Sequence, residues 1–457
     1  MDHSDGRVFL FLQGPHGPFF RCLAARLAAA GAGVRRIAFN PGDEAEWAGA
    51  GTLERYLGPP GAYPDWLAHQ LAIHRVTDIV LYGDSRPEHA RAIEVARPLG
   101  VLCHCLEEGY LRPHRVTYER WGNNGNSPLH GISLARMAAA LGRAAPPPDG
   151  PHDGWGSHRP HLWHSALYHA RLLLPSRRYG RHRSRRDLSL WRELGHYLRR
   201  FAGLPLRRAA QGLRTRRLLA SGRSYHLVLL QLSFDASMQA HSDYRNSAEF
   251  VRDCIEAFAR GAAAEDRLVF KLHPFEDGRE RLGRVIAATA SRLGVDRRVL
   301  FLDGGQALTP LLDGARSAVT VNSTAAQQAL WRGLPVAALG RAVYAKPGLV
   351  SSQALDTFFA GPQRPDQQAY WQFRQFLAET SQIVGSFYSR PGIAALLEAL
   401  PAAMLTQVDP YERVLAAAPG PEPVDAPRPV PEVRIAAYGS SVPAEVQQGR
   451  QPQRVAV

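Results

Sequence analysis

The sequence predicts an α/β protein with two doubly wound units, each a parallel sheet covered by helices on both faces, and a basic helical insertion between them. Three observations predict this fold. Apolar, strand-like segments alternate with helix-like segments in two stretches, residues 8–106 and 226–340. An arginine-rich segment without this alternation separates the two stretches. The chain has 457 residues, which is long for one hydrophobic core and ordinary for two domains.

The first stretch begins with an apolar strand, Val8–Leu12, and the turn "QGPHGP" leads into a helix that carries Leu23 and Leu27. The segments after this helix alternate in the same way. They are the strand "VRRIAF", a polar stretch with Trp47 and Tyr56, a helix over 66–74, the strand "DIVLYG", a helix over 90–96 and the strand "VLCHCL". The last strand continues into "EEGYLRP", so Glu107 and Glu108 lie at its carboxyl end.

The second stretch repeats this organisation. Its strands are "HLVLLQ", "RLVFKLHP", "VLFLD", "SAVTVNST" and "PVAALG", and its helices are predicted over 247–260, 279–293, 308–312 and from Ser323 onward. Doubly wound units bind ligands at the carboxyl ends of their strands. We therefore expect the site in a cleft that both units face.

The remaining segments complete the predicted domain organisation. Residues 365–404 have a helical pattern, and from Ala418 onward Pro, Val, Gln and Ala dominate without periodicity, which is typical of disorder. The predicted boundaries are 1–127 for the first unit, 128–223 for the insertion, 224–350 for the second unit, 351–417 for helices that pack back on both units and 418–457 for a disordered tail.

The charge distribution suggests a partner. The net charge is +14, and residues 171–217 contain fifteen arginines but only two acids, Asp187 and Glu193. Apolar residues are interleaved with these arginines, which favours an anionic membrane surface. Charge alone would also permit nucleic acid, but the sequence has no recognisable nucleic-acid motif, and a solvated helical insertion is the simplest alternative. Without a signal peptide pattern or an apolar run of roughly 20 residues, we expect a cytoplasmic protein.

The four cysteines do not predict a disulfide framework or a metal site. Cys103 and Cys105 flank His104 on a predicted strand, and metal sites usually use other spacings, so these are expected to be core residues. No other set of metal ligands is apparent, and we expect no metal.

Polar residues follow two strands of the second unit. Lys271 and His273 end one strand, and Asn322, Ser323 and Thr324 end another. Ser and Thr ahead of a helix are first of all capping residues, but a helix start is also a phosphate site. Together with a histidine and a lysine at the same sheet edge, they suit the phosphate of a nucleotide-activated donor. No GxxxxGK[ST] motif is present, which argues against a P-loop nucleotidase.

Carboxylates follow strands of both units. Glu107 and Glu108 end a strand of the first unit, and Asp235 lies four residues after Gln231 at the end of "HLVLLQ". Adjacent residues of an extended chain point to opposite sides, so one glutamate faces the cleft more easily than the other. The glutamates could instead cap an exposed turn, and Arg112 could pair with them or bind a substrate carboxylate. One carboxylate on each wall of a cleft fits glycosyl transfer, with one nucleophile and one acid or base.

These motifs resemble a known family. The segments "FLQGPHGPFF", "EEGYLRP", "QLSFD", "KLHP" and "NSTAAQQAL" occur in the order found in the bacterial capsule-synthesis family that holds the KpsS and KpsC proteins. The resemblance covers residues 7–127 and 224–350 and looks more like the KpsS branch. It implies β-Kdo glycosyltransferases, where Kdo is 3-deoxy-D-manno-octulosonic acid, with a GT-B-like fold of two Rossmann-like domains facing a cleft. It also implies a CMP-β-Kdo donor, retention of the anomer and no metal cofactor.

The resemblance implies roles for individual residues. Gln231 and Asp235 match the family's Q-x-x-x-D, in which the aspartate is the proposed nucleophile. His273 matches its HP motif and would contact the donor phosphate, as would Ser323 and Thr324. Glu108 is favoured over Glu107 as the general base.

The resemblance also implies partners. In the KpsS branch the acceptor is a phosphatidylglycerol-type lipid at the inner membrane, which the basic segment would suit, in a possible capsule biosynthesis complex. The first unit would then be the acceptor side and the second the CMP-sugar side. A GT-B enzyme with another nucleotide sugar and a non-catalytic capsule export or assembly component are the alternatives.

Overall fold

The computed structural model describes residues 6–141, 159–173, 179, 195, 203–232, 236–273, 276, 278, 280–303 and 305–416. The strands of these ranges are, in chain order, β1 (Val8–Phe11), β2 (Gly33–Ala38), β3 (Thr52–Arg55), β4 (Asp78–Tyr82), β5 (Leu102–Glu108), β6 (Arg115–Arg120), β7 (Tyr225–Leu229), β8 (Arg267–Lys271), β9 (Val299–Leu302), β10 (Ser317–Thr320), β11 (Val336–Ala338) and β12 (Gln382–Val384). The α-helices are α1 (Phe19–Ala29), α2 (Pro41–Trp47), α3 (Tyr63–Ile73), α4 (Pro87–Ala96), α5 (Leu134–Leu141), α6 (Arg159–Leu173), α7 (Leu204–Ala220), α8 (Ala236–Ala240), α9 (Ser247–Gly261), α10 (Leu282–Arg292), α11 (Leu308–Asp313), α12 (Ala326–Trp331), α13 (Leu355–Ala360), α14 (Gln367–Glu379), α15 (Arg390–Leu405) and α16 (Pro410–Leu415).

The first sheet has seven strands in the order β12-β6-β5-β4-β1-β2-β3. The strands from β5 to β3 are parallel, and the sequence predicted four of them as a parallel sheet, namely β1, β2, β4 and β5. Two more strands lie at one edge, since β6 is antiparallel to β5 and β12 is antiparallel to β6. The sequence analysis missed β3, β6 and β12. In β6 the charged residues Arg115, Glu119 and Arg120 obscured the pattern, although Glu119 and Arg120 are buried in the fold.

Successive residues of the strands in the first sheet point to opposite faces, and a separate hydrophobic core lies on each face. Phe9 and Phe11 of β1 pack with α1 and α15 on one face, whereas Leu10 packs with α3 and α4 on the other. Helix α1 buries residues at a spacing of three to four, which is the pattern of an amphipathic helix. A sheet covered on both faces is the doubly wound arrangement that the sequence predicted.

The second sheet has five parallel strands in the order β11-β10-β7-β8-β9. All five were predicted from their apolar runs, and each run is continuous because both faces of the sheet are buried. Leu227 and Leu229 of β7 belong to one core, and Val228 belongs to the core on the opposite face. Two such units form a GT-B-like fold.

Local sequence signals explain where helices of the second unit begin. Asn246 precedes α9, and its side chain accepts a hydrogen bond from the backbone of Glu249 at 3.0 Å. The Glu249 carboxylate reaches back to the backbone N–H of Arg245 at 2.9 Å. This reciprocal arrangement satisfies donors that a helix start leaves unpaired, and a cap of this kind stabilises by about 1 kcal/mol.

The insertion and the C-terminal segment connect the two units. Helices α5, α6 and α7 lie in the described part of the insertion, and the predicted tail 418–457 lies outside the described residues. The sequence predicted helices for residues 365–404, but strand β12 interrupts them between α14 and α15 and joins the first sheet. Helix α14 packs on α5 and α12, and α15 packs on α1. No helix in the described ranges is both long and apolar enough to cross a bilayer.

A buried ionic network anchors the start of β4. Arg7 donates to the Asp78 carboxylate from Nε at 2.9 Å and also from Nη2. His104 of the neighbouring strand lies 2.8 Å from Asp78, and its other ring nitrogen lies 2.8 Å from the Tyr118 hydroxyl. Burial raises the pKa of Asp78, but the hydrogen bonds from His104 and Arg7 outweigh burial and lower the pKa to about 2.

We expect Asp78→Asn to lower the free energy of unfolding by about 3 kcal/mol at pH 7, because it leaves a buried guanidinium without its counter-ion. The folded pKa of Asp78 lies below its ordinary value of 3.8, so this stabilisation is present above pH 4 and is lost as the pH falls toward 2. Urea unfolding at pH 7 and pH 3 measures the difference. The control is Glu265→Gln, which changes an exposed carboxylate. If both variants lost the same free energy of unfolding at pH 7, Asp78 would not be the stabilising counter-ion of Arg7.

Candidate functional site

The order of the second sheet marks a ligand site between β7 and β10. The chain runs from β7 to β8 and β9 on one side and to β10 and β11 on the other, so the order reverses at this pair. Crevices at such switch points are where open α/β sheets bind ligands. Leu229 pairs in register with Thr320, so Gln231 and Asn322 leave the sheet side by side.

Gln231 and Asn322 are joined at this switch point by two hydrogen bonds. The Gln231 side-chain amide donates to Asn322 Oδ1 at 2.7 Å, and the backbone N–H of Asn322 donates to Gln231 Oε1 at 3.0 Å. Both side chains are largely buried. Gln231 therefore fixes the position of the loop after β10. That Gln231 also contacts the donor stays a prediction.

The next residues of this loop are Ser323 and Thr324, and both are half-buried. The Ser323 hydroxyl accepts from the backbone N–H of Ala325 at 3.3 Å, and its carbonyl accepts from the Tyr344 hydroxyl at 2.6 Å. The N-cap position of α12 is Ala325, which makes no side-chain cap. Ser323 thus closes a turn just before the helix rather than capping it directly.

Lys271 is the last residue of β8, the next strand of the sheet, and His273 lies two residues beyond it. Lys271 is buried, burial lowers its pKa, and its ammonium has no hydrogen bond or ion pair among the described residues. The pKa of His273 is lowered to about 4, first by burial and then by the charges of Lys271 and Arg112. Arg112 belongs to the first unit, so cationic groups of both units approach His273. Such a group of cations suits an anionic ligand.

Glu107 and Glu108 lie at the carboxyl end of β5, as the sequence predicted for this strand. The hydroxyl of Tyr82 lies 3.5 Å from Glu108 Oε1, and the backbone N–H of Glu108 donates to Glu107 Oε1 at 3.1 Å. Both carboxylates are half-buried. Gly83 has a positive φ of 70°, and a Cβ there would stand 2.9 Å from Glu107 Oε2.

Asp235, the predicted nucleophile, lies outside the described residues, and its role stays a prediction. The chain resumes in α8 directly after it. No cluster of three or more His, Cys, Asp or Glu within the described ranges is placed to hold a metal ion. Cys103 and Cys105 are buried in the core of the first unit, and burial raises the pKa of both thiols.

Sequence analysis missed three polar residues between the units. Asp84 and Ser85 follow β4, and His241 follows α8. The His241 ring lies 3.2 Å from the Ser85 hydroxyl and 4.0 Å from the Asp84 carboxylate. The signal for the first two was present, because "DIVLYGDS" places them at a strand end like the other candidates. Nothing in the sequence signalled His241.

Solved structures resemble the fold only in outline. The "KpsC, beta Kdo 2,7 transferase" of Thermosulfurimonas dismutans matches with a TM-score of 0.43 and 14% identity, covering 86% of this chain and 99% of that chain. HepE of Anabaena, in complex with UDP and glucose, matches with a TM-score of 0.31 and 12% identity, covering 90% and 98%.

Curated relatives match at higher identity. The "Capsule polysaccharide export protein KpsS" of Escherichia coli is 30% identical over 84% of this chain and 97% of that protein. The "Capsule polysaccharide modification protein LipB" of Neisseria meningitidis serogroup B is 28% identical over 83% and 91%. The family model described as "Capsule polysaccharide biosynthesis protein" matches residues 77–388. The chain therefore belongs to the capsule polysaccharide biosynthesis family, which includes the KpsS and KpsC type.

Proposed function

We propose that this protein is a retaining glycosyltransferase. It moves β-Kdo from CMP-β-Kdo to a phospholipid-type acceptor, or to the first Kdo on that lipid, in capsule polysaccharide biosynthesis. The observation that carries the proposal is the approach of Lys271, His273 and Arg112 beside the switch point of the second sheet. Lys271 is largely buried and its ammonium has no partner among the described residues, so an anion such as the phosphate of a CMP-sugar would compensate its charge.

The reaction divides into two displacements at the anomeric carbon. The carboxylate of Asp235 attacks, the bond from that carbon to the phosphate oxygen breaks, and CMP leaves with the electron pair. Lys271 and His273 stabilise the charge on the departing phosphate. Glu108 then takes the proton of the acceptor hydroxyl, whose oxygen attacks the same carbon and releases Asp235. Two inversions give retention.

The described part of the insertion supports a peripheral position at an anionic membrane. Leu162, Trp163 and Leu167 of α6 are 50%, 68% and 38% exposed, whereas Tyr168 of the same helix is buried against the first unit. An exposed tryptophan beside leucines is typical of a helix at a bilayer surface, and the arginines of residues 171–217 supply the matching charge. Binding of this surface to the inner membrane would place the cleft close to the acceptor lipid.

Two alternatives make different predictions. A transferase for another nucleotide sugar would bind UDP or GDP more tightly than CMP. A non-catalytic assembly component would bind none of them and turn over no donor, yet it would still account for the basic insertion. Titration calorimetry with the three nucleotides separates these cases from the proposed function.

We expect transfer from CMP-Kdo, generated in situ, to a phosphatidylglycerol-type acceptor, and we expect Asp235→Ala to abolish it while the protein stays folded. The intact mass of the wild type during turnover should show a covalent Kdo adduct that the variant lacks. Asp243→Ala, nearby in the chain, is the control and should keep its activity. Equal transfer by Asp235→Ala and wild type would refute the double displacement.

We expect Lys271→Met to weaken CMP binding about tenfold or more, since a hydrogen bond to a charged group contributes about 1.5–3 kcal/mol. Binding should also take up protons, because the phosphate raises the pKa of His273 from about 4 toward its ordinary value of 6.5. Calorimetry at pH 5.5 in buffers of different ionisation enthalpy measures this uptake. His273→Asn should remove it, whereas the exposed Arg284→Met should change neither quantity. Unchanged affinity in Lys271→Met would contradict the phosphate site.

The triple variant Leu162→Ser, Trp163→Ser, Leu167→Ser should bind vesicles of phosphatidylglycerol and phosphatidylethanolamine at least tenfold more weakly, because each buried apolar side chain contributes roughly 1.5–3 kcal/mol. Co-sedimentation measures the partition. The control is Ile73→Ser with Leu99→Ser, two side chains that are 52% and 53% exposed on other elements. Equal binding by both variants would exclude α6 as the membrane surface.

A further inference from the structure

His241 is a buried side chain that crosses from one unit to the other. It follows α8 of the second unit and is 1% exposed. Its Nε2 lies 3.2 Å from the Ser85 hydroxyl, at the end of β4 in the first unit. The roles proposed above for the transfer reaction do not use His241, Ser85 or Asp84.

Asp84 is held in place by three donors of the first unit. Its carboxylate accepts from the Ser85 hydroxyl at 2.9 Å, from the backbone N–H of Asn123 at 2.9 Å and from the Asn126 side chain at 3.0 Å. These bonds tie the turn after β6 to the end of β4. Ser85 is therefore part of a fixed structure when it meets His241.

The surroundings of the imidazole select one tautomer. A Cβ on Gly125 would stand only 2.4 Å from Nδ1 and Cγ, so the ring packs closely against the backbone there. The Ser85 hydroxyl donates its single proton to Asp84, so it offers Nε2 only an acceptor. Nε2 therefore carries the proton and donates to Ser85, whose own proton goes to Asp84. Burial lowers the pKa of His241, which agrees with a neutral ring.

The backbone of the same residue is fixed to the second unit. The His241 carbonyl accepts from the N–H of Arg341 at 2.8 Å, and the Arg341 side chain donates to the Ala240 carbonyl at 2.7 Å. Ser242 forms an isolated antiparallel bridge with Gly340, two residues after β11. His241 thus joins a rigid part of one unit to a rigid part of the other.

The two joined parts lie at the switch points of their sheets. In the first sheet the strand order reverses between β1 and β4, and Ser85 follows β4. In the second it reverses between β7 and β10, and the segment that leads to His241 follows β7. The hydrogen bond from His241 to Ser85 therefore spans the cleft beside the place where both sheets offer ligand sites.

We propose that His241 is a positioning residue for the transfer reaction. Through Ser85 and Asp84 it sets the separation between the acceptor-side strand ends of the first unit and the donor-side strand ends of the second. This proposal rests on the proposed function for its kinetic consequence. The proposed contacts to the CMP part of the donor all belong to the second unit, and they are Gln231, Lys271, His273, Asn322, Ser323 and Thr324. The affinity for CMP therefore does not depend on this separation, whereas Arg112 of the first unit would meet the sugar carboxylate, which CMP lacks. The rate of transfer depends on the separation, because a misplacement of about 1 Å can cost a hundredfold.

The test compares His241→Ala with His241→Gln, whose side-chain amide can still donate to Ser85. We expect His241→Ala to lower kcat by about 10- to 100-fold, with the Kd for CMP changed less than twofold. His241→Gln should recover most of kcat. The matched control is His226→Ala, which removes a buried histidine bonded to Ser317 inside the second unit. The His226→Ala variant should have a lower free energy of unfolding but a kcat per folded molecule near the wild-type value.

A second measurement does not require activity. Hydrogen exchange in His241→Ala should become faster at the backbone N–H of Asn123 and in residues 236–242, but not in either sheet. A kcat of His241→Ala equal to that of the wild type would overturn the proposal. So would a loss of CMP affinity as large as the loss of kcat. A kcat of His241→Gln no higher than that of His241→Ala would also overturn it. If the wild type transfers no Kdo, the proposed function fails, and the exchange pattern alone then decides whether His241 joins the units.

Discussion

The parallel strands of both sheets are covered on both faces, so side chains that can reach a ligand lie at the strand ends, and the arrangement of the proposed site depends on this constraint. Within β7 the backbone groups pair with strands on both sides, and Leu227, Val228 and Leu229 place apolar side chains in the cores on the two faces. Polar side chains appear where a strand ends and its backbone is no longer paired with neighbours on both sides. Gln231 and Asn322 occupy such positions, Lys271 is the last paired residue of its strand, and the two hydrogen bonds between Gln231 and Asn322 fix this edge of the sheet.

This constraint explains how much of the molecule could be predicted from the sequence. Continuous apolar runs identified every strand of the second sheet and the polar residues that follow β8 and β10. The same reasoning failed for β6, whose buried Glu119 is stabilised by the hydroxyls of Tyr110, Ser127 and Tyr411. Burial raises the pKa of Glu119 to about 7 despite these bonds. A strand that buries charge through distant partners has no apolar alternation to recognise.

Contacts between units were also beyond sequence reasoning, for a related reason. His241 follows a helix of five residues and belongs to no periodic pattern. Its partner Ser85 lies 156 residues earlier, and Gly125 matters only because its missing Cβ leaves room for the ring. Each residue alone is unremarkable in its local sequence, and only the docking of the two sheets gives it a role. Local patterns determine the elements, whereas long-range packing determines which strand ends meet.

The two units share an apolar core, which contains Tyr110 and Leu111 of the first unit and Leu330 and Tyr344 of the second, and polar, directional contacts join them as well. Besides the bond from His241, Gln327 donates to the Tyr110 carbonyl at 2.8 Å, and the ammonium of Lys346 donates to two backbone carbonyls in residues 129–132. Burial lowers the pKa of Lys346 to about 8, so its charge costs stability rather than adding to it. The apolar contacts hold the units together, but they are not directional and tolerate sliding better than hydrogen bonds do. Buried hydrogen bonds weaken steeply when their atoms move apart by an ångström, so these contacts restrict the separation of the strand ends that form the proposed site.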